Sequence, residues 1–422
     1  MDARDSFLSD ALLRELMAVG QVDVLVGVPT LDNAATVGGV VRAVQGAFAR
    51  HFPRQRTLLF NSDGGSSDGT PEIVRSLGPA DADTVLASHV LRTMHRISVP
   101  YHGLPGRATA LRVVFAAADL LQARAVAVLD PDAQGVTPER IAALLTPAAR
   151  ERLDLIVPVY PRAPDDGLLV SQLVRPFVRA AYGYRLSEPL AVEFACSGRF
   201  AAHCGGLDAW DADVARDGVD LWLKTTGLAG DFRVTEVNLK RLETTTRSRP
   251  AVPDILAQVV GTLFGCLEAH ADTWRGRAGS ERLPTLGDAP AATPSAHAPE
   301  GRDASDALRR ALRDLDPLLA KVLEPATRAA LHQAAATQPL RFEDGLWVAT
   351  VYEFAAGWHR RAMRRDHLIR ALAPLYLCRA AAFLNELASL SSPAAGASRL
   401  ETLGLEYERA KAGLVERWTH SE

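Results

Sequence analysis

Short apolar runs alternate with longer stretches of helical spacing through the first 160 residues. Residues 22–28 form a run rich in β-branched valine that closes on Pro29 and reads as a buried parallel strand. Residues 36–48 follow with Val37, Val40, Val41, Val44 and Phe48 on one helical face. Residues 57–60 form a second expected strand and 61–69 a loop, after which Pro71 takes the first-turn position that suits proline. A third strand is expected at 84–87. Residues 107–123 carry Leu111, Val114, Phe115, Ala118 and Leu121 on one face, and 125–129 form the fourth strand. This alternation predicts an α/β layer fold with a mostly parallel sheet, whose ligands bind at the carboxyl ends of its strands. Three loops leave such ends: 29–33, 61–69 and 130–134.

Beyond a further strand at 154–160 the pattern loosens to residue 250, with helical stretches at 168–182 and 221–228 and a strand near 232–239. Pro253 opens a helix with Leu256, Val259, Val260, Leu263, Phe264 and Leu267 on one face. Residues 283–305 are rich in Pro, Ala, Gly and Asp without periodicity and read as a linker or long surface loop. From 306 to 418 the pattern is helical, with a break at 391–397. The expected division is therefore 1–282 (a nucleotide-binding part at 20–150 and an acceptor part at 151–282), a linker at 283–305, and an all-helical C-terminal domain at 306–422.

Composition changes this picture little. The chain of 422 residues is 48% hydrophobic and 23% charged, with a net charge of -3, which gives no electrostatic reason to expect a nucleic-acid partner. Cys196, Cys204, Cys266 and Cys378 lack C-x-x-C spacing and read as small buried residues of a reduced compartment. The N-terminus lacks the basic start and apolar run of a signal peptide. The most apolar long stretch, 368–390, is interrupted by Arg370, Arg379 and Glu386, so no membrane span is expected and the location is read as cytoplasmic. Trp347, Phe354, Trp358 and Trp418 offer apolar area for a homodimer interface.

The candidate chemistry centres on Asp130-Pro131-Asp132, where the fourth strand delivers two carboxylates to its end. Hard oxygen donors there suit Mg2+ or Mn2+, which in turn suit a diphosphate. Standing alone, Asp-x-Asp is also ordinary turn chemistry. What surrounds it decides: the strand-loop 26–36 (Val-Gly-Val-Pro-Thr-Leu-Asp-Asn-Ala-Ala-Thr), the glycine-containing loop 61–70 (Asn-Ser-Asp-Gly-Gly-Ser-Ser-Asp-Gly-Thr), and a cation at a helix start in Pro105-Gly106-Arg107-Ala108.

This order resembles the nucleotide-binding half of GT-A glycosyltransferases of the family 2-like kind. Residues 63–70 look like their D-D-G-S-x-D-G-T signature, with Gly64 in place of the second Asp. The segments 160–167, 190–198 and 217–222, and Ala373-Pro374-Leu375-Tyr376 with Arg379, are similar to the branch containing mannosylglycerate synthase and glucosyl-3-phosphoglycerate synthase. The resemblance implies a GT-A nucleotide-diphospho-sugar transferase-like sheet with flanking helices. It implies a metal-dependent enzyme that moves a hexose from a nucleoside-diphosphate sugar to a small hydroxy-acid or related polar acceptor, with retention. On this reading Asp132 ligates the metal and Asp130 orients the ribose or a metal-bound water. Asp63 accepts from the base N–H, Arg107 meets a phosphate or base edge, and Pro29, Thr30 and Asn33 line the nucleoside pocket. Arg162, Asp166 and Glu193 shape the acceptor pocket or form a structural ion-pair set. Asp220 stands near the reacting sugar or acceptor hydroxyl, or else N-caps a helix. Trp210 and Trp222 read as core, and Asp68 as either a turn residue or part of the site.

The sequence departs from the family at two places. Leu242 stands where a metal-ligating His is expected, and Glu243, next along, is the oxygen ligand that could replace it. Ala191 and Val192 replace glycines before Glu193, which narrows the neighbouring pocket. Two other readings stay open: a weakened sugar-nucleotide-binding or scaffold protein, and a sugar-1-phosphate nucleotidyltransferase. The loop 29–36 lacks the glycine-rich basic run that would cradle a triphosphate.

Overall fold

A computed structural model describes residues 8–77, 95–100, 106–211, 213–242, 252–288, 304–390 and 392–420. The chain divides into two compact units, each discontinuous in sequence. The first takes Met1–Tyr160, Leu190–Arg249 and Pro284–Pro290; the second takes Pro161–Pro189, Pro250–Leu283 and Ala291–Glu422. Residues 161–189 and 250–283, which the linear reading assigns to the acceptor part, thus pack with the C-terminal helices.

The first unit is built on an eight-stranded sheet. Its strands are β1 (Val24–Thr30), β2 (Thr57–Asp63), β3 (His95–Pro100), β4 (Ala125–Val128), β5 (Leu155–Val159), β6 (Phe194–Ser197), β7 (Val234–Asn238) and β8 (Thr285–Leu286). The order is β8-β7-β5-β6-β4-β1-β2-β3. Only β6 runs antiparallel to its neighbours, so the sheet is mostly parallel, as expected. The third strand lies at His95–Pro100, and the expected strand at 84–87 falls outside the described residues. Thr285–Leu286 corrects the reading of 283–305 as linker throughout, because two of its residues complete the sheet edge beside β7.

Alternation along β1 sets the layers. Val24, Val26 and Val28 join one core with Val40, Val41 and Val44 of helix Val37–His51 and Ile141, Leu144 and Leu145 of helix Pro138–Arg150. On the other face helix Arg107–Leu120 packs so tightly that a Cβ on Gly27 would sit 2.7 Å from Val114. β4 pairs with β1 only as far as Gly27–Val128, so Pro29 lies beyond that ladder and its missing N–H costs the sheet nothing on this side.

The second unit is mostly helical, with one short strand pair, Tyr184–Arg185 with Glu281–Arg282. Its helices include Arg175–Tyr182, Val252–Ala269, Ser305–Asp314, Pro325–Ala335, Asp344–His359, Arg365–Ala388 and Pro393–Thr419. The helical stretch expected at 168–182 opens with a π-helical turn at Val170–Val174. Phe177 meets Tyr352 edge-on at 5.4 Å, Trp274 meets Trp418 at 5.2 Å, and Trp347 donates its indole N–H to the Gln172 carbonyl. Trp347, Phe354, Trp358 and Trp418 are all buried within the unit, so the apolar area expected to face a partner is taken up by its own core. Helices Val252–Ala269 and Arg365–Ala388 are long and apolar enough to cross a membrane, although 50% and 61% of their apolar windows are buried inside the unit.

Candidate active site

The carboxyl ends of β1, β2 and β4 meet in one polar network. β1 and β2 run in a register that sets Thr30 opposite Asp63, and Thr30 Oγ1 donates to Asp63 Oδ1 at 2.8 Å. Ser66 Oγ also donates to that oxygen, at 2.6 Å, while Asp63 Oδ2 accepts the N–H groups of Gly65 and Ser66. Each Asp63 oxygen therefore already accepts two bonds, and a base N–H would have to displace one of them. Gly69 supplies the positive φ of +87° from which helix Thr70–Ser76 starts. Asp68 ties the same loop to the first, accepting the Ala34 N–H at 2.8 Å and the Thr70 hydroxyl at 2.6 Å. Asp32, held at a φ of +53°, accepts the Ser67 N–H at 2.8 Å.

Asn33 joins this bracket to the third loop. Its backbone N–H donates to Thr70 Oγ1 at 2.8 Å, its Oδ1 accepts the Leu31 N–H at 2.7 Å, and its Nδ2 donates to Asp132 Oδ1 at 2.6 Å. The turn at Pro131 lets Asp130 Oδ1 accept the Asp132 N–H at 2.9 Å. Pro29, Thr30, Asn33 and Asp63 are buried, whereas Asp130 and Asp132 are half-buried at the strand end.

Charge at this edge is unevenly balanced. Burial pushes the Asp130 carboxyl up from its ordinary value, and the neighbouring Glu193 and Asp132 carboxylates add to that. The Asp132 N–H and the Arg107 guanidinium act the other way. Arg107 starts the helix Arg107–Leu120 and is clasped by Asp220: Nε lies 2.7 Å from Oδ2 and Nη2 lies 3.1 Å from Oδ1. Arg107 Nη2 also donates to the Val192 carbonyl. Asp220 follows the kink at Gly218 in helix Asp213–Ala229. One turn on, the fully buried Lys224 holds its Nζ 3.7 Å from Asp220 Oδ1, donates to the Ala191 carbonyl at 2.5 Å, and stands 4.8 Å over the Phe194 ring. Burial pushes the Lys224 amine down to about 8.

Glu193 is buried and pairs with Arg140, its Oε2 also accepting the Tyr160 hydroxyl at 3.0 Å, while its Oε1 is buried without a hydrogen-bond partner. Arg162 lies in the second unit, held by Glu188 through bonds of 2.5 and 2.7 Å, with Asp166 at 3.4 Å. The expected set of Arg162, Asp166 and Glu193 is therefore two separate ion-pair systems, because Glu193 finds its cation on helix Pro138–Arg150 instead. Trp210 and Trp222 are buried against each other at 4.9 Å, as core residues. All four cysteines are buried and none is disulfide-bonded to another.

The residues fit a divalent cation in type, since the strand end offers the carboxylate oxygens of Asp130 and Asp132. Among the described residues no group of three or more His, Cys, Asp and Glu side chains forms a closed cage. Two carboxylates completed by phosphate oxygens and water are what Mg2+ requires. Glu243 falls outside the described residues. Sequence reading missed Lys224, Arg140 and Tyr160. Lys224 carried a signal: a lone cation among Leu221, Trp222, Leu223 and Leu228, four residues after an acid.

No protein-family model matches the chain, and no curated protein matches it in sequence. Among solved structures it is similar to glucosyl-3-phosphoglycerate synthase from Mycobacterium tuberculosis in complex with phosphoglyceric acid, at 20% identity over 62% of this chain and 84% of that one, with a TM-score of 0.43. The same enzyme in complex with Mn2+, uridine diphosphate and glucosyl-3-phosphoglycerate shows 20% identity over the same shares, with a TM-score of 0.42. Mannosyl-3-phosphoglycerate synthase from Rubrobacter xylanophilus shows 17% identity over 65% of this chain and 82% of that one, with a TM-score of 0.41.

Proposed function

We propose that the chain is a metal-dependent GT-A glycosyltransferase that moves a hexose from a nucleoside-diphosphate sugar to a small hydroxy-acid or related polar acceptor, with retention. The observation that carries this reading is the 2.6 Å bond from Asn33 to Asp132. It brings the β1 loop, and through it the β2 loop, onto the carboxylates at the end of β4. A nucleoside pocket and a diphosphate-metal edge thereby become one continuous site at the carboxyl end of a parallel sheet. The order of sequence motifs supports the same reading.

In this site Asp132, with Asp130 beside it, would hold Mg2+ or Mn2+, which supplies Lewis-acid stabilisation of the departing diphosphate. Asn33 fixes the Asp132 carboxylate through one of its oxygens. Thr30, Asp63 and Asn33 hold the two loops that frame the nucleoside. Arg107 offers a guanidinium to the phosphates. Glu193, locked by Arg140 and Tyr160, fixes the segment beside the end of β4. The acceptor's specificity and the retention of configuration rest on the motif resemblance.

Thermal denaturation with UDP- and GDP-sugars, with and without Mn2+, tests the reading, since a ligand of the folded state stabilises it by mass action. Metal-dependent stabilisation that disappears in Asp132→Ala is the expected result. Stabilisation by nucleoside triphosphate alone would replace this reading with nucleotidyl transfer.

A further inference from the structure

Asp220 was expected to stand near the reacting sugar, yet both of its oxygens face cations. Arg107 binds it in a fork, at 2.7 and 3.1 Å, and Lys224 stands 3.7 Å away. The two cations do more than neutralise it. Arg107 also takes the Val192 carbonyl and Lys224 the Ala191 carbonyl. One carboxylate thus knits together the start of helix Arg107–Leu120, the segment leading into β6, and helix Asp213–Ala229. The Asp220 side chain is only 15% exposed and that of Lys224 is fully buried. A guanidinium at a helix N-terminus is disfavoured by the helix dipole, so something must hold Arg107 there. The Asp220 fork and the Val192 carbonyl supply that hold. The bond to Val192 places Arg107 beside the end of β4, because Val192 comes two residues before the Phe194 that pairs with Val128 of β4.

We propose that Asp220 is a positioning residue, which with Lys224 as its buried counter-ion aims the Arg107 guanidinium at the diphosphate site and does not act on the transferred sugar. The inference rests on the transferase reading for the identity of the ligand. A nucleoside diphosphate separates the two roles because it carries the phosphates but lacks the transferred sugar. A sugar-contacting Asp220 leaves its binding unchanged, whereas an Asp220 that acts through Arg107 does not.

The experiment measures the binding of UDP and GDP with Mn2+ by calorimetry for the wild type, Arg107→Met, Asp220→Asn, Lys224→Met and the Arg107→Met/Asp220→Asn double variant. Arg107→Met is expected to weaken the better-bound nucleotide about tenfold, the size of one charge-assisted hydrogen bond. Asp220→Asn should weaken it by a similar factor, and the double variant should bind within about twofold of Arg107→Met alone, as residues acting in series do. Lys224→Met, which leaves the Arg107 fork in place, should fall between wild type and Asp220→Asn. Unchanged or tighter binding in Asp220→Asn overturns the proposal, as does a double variant whose loss is the product of the two single losses. Thermal melts of the same variants without ligand report the Arg107–Asp220 coupling alone. Coupling in the melts with no nucleotide bound by the wild type would overturn the transferase reading and the aim assigned to Arg107, leaving only the ion pair.

Discussion

Asp130 in the sheet unit and Asp344 in the helical unit are both carboxylates withdrawn from water, and they are held in different ways. Asp344 accepts Arg379 at 2.6 Å and Arg399 at 2.6 and 2.7 Å, and Arg399 is shared with Glu386. Arg379 is completely buried and spends its other donors on Gln172 and the Phe342 carbonyl. Every charge in that cluster faces its opposite. At the end of β4 the arrangement differs: Glu193 pairs with Arg140 and Arg107 is forked to Asp220, while Asp130 accepts the Asp132 N–H and feels Arg107 through space. A buried cluster closed on itself is architecture. A carboxylate held instead by a backbone N–H, at a strand end and half open to solvent, is where the proposed site would take a cation with its ligand.

Four measurements can break or sharpen that contrast. Asp132→Ala should lower kcat/KM about a thousandfold, the equivalent of several kcal/mol of Lewis-acid stabilisation, and leave the melting temperature without ligand unchanged or raised. A steady-state assay with Mn2+ titration and a melt of the apoprotein check both halves. Arg379→Met should do the opposite. Leaving Asp344 and Glu386 with one shared cation costs about 3–5 kcal/mol of stability, visible in chemical denaturation, while the Kd of the surviving folded protein for nucleotide and Mn2+ stays at the wild-type value. Asn33→Ala removes the donor that fixes Asp132 and should weaken metal-dependent nucleotide binding about tenfold, read by calorimetry. Equal binding in that variant would detach the nucleoside loops from the metal edge.

The smallest effect is a slope. Burial pushes both Lys224, in the sheet unit, and Lys411, in the helical unit, down to about 8. A lysine in the unfolded chain keeps its proton to about pH 10.4. Between those values the unfolded chain binds more protons than the folded one, so stability rises with pH across that window. Denaturation curves from about pH 8 to about pH 10 should show this rise, and Lys224→Met and Lys411→Met should each remove part of it. An unaltered slope in both variants would assign the effect elsewhere.

The strands β1, β2, β4 and β5 were legible because each is an apolar run ending in a polar or proline-bearing loop, the signature of a strand buried on both faces. β6 was not, because four residues of Phe-Ala-Cys-Ser carry no alternation and its pairing with β4 and β5 is long-range. The edge strand Thr285–Leu286 is shorter still and sits in a segment whose composition signals a linker. In the site, the types and order of Asp130, Asp132, Asn33 and Asp63 could be read from the sequence, but their bonding could not. No local pattern says that Asp63 is saturated by Thr30, Gly65 and Ser66, or that Arg107 is forked to a residue 113 positions away. The same limit applies to Arg162 and Glu193, adjacent in the expected acceptor set and partnered separately in the fold.

The discontinuity of the two units has a consequence for anyone who would divide the protein. The chain leaves the sheet unit after Tyr160, returns at Leu190, leaves again after Arg249 and returns at Pro284. A fragment ending near residue 160 would lack β6, β7 and β8, exposing one edge of β4 and both edges of β5 as templates for aggregation. On a ribosome the same edges wait until residue 197 has emerged before β6 can join β4 to β5, so the nascent sheet passes through an open stage. Expression of residues 1–160 alone should therefore yield insoluble material. Separable pieces are better sought by circular permutation than by truncation.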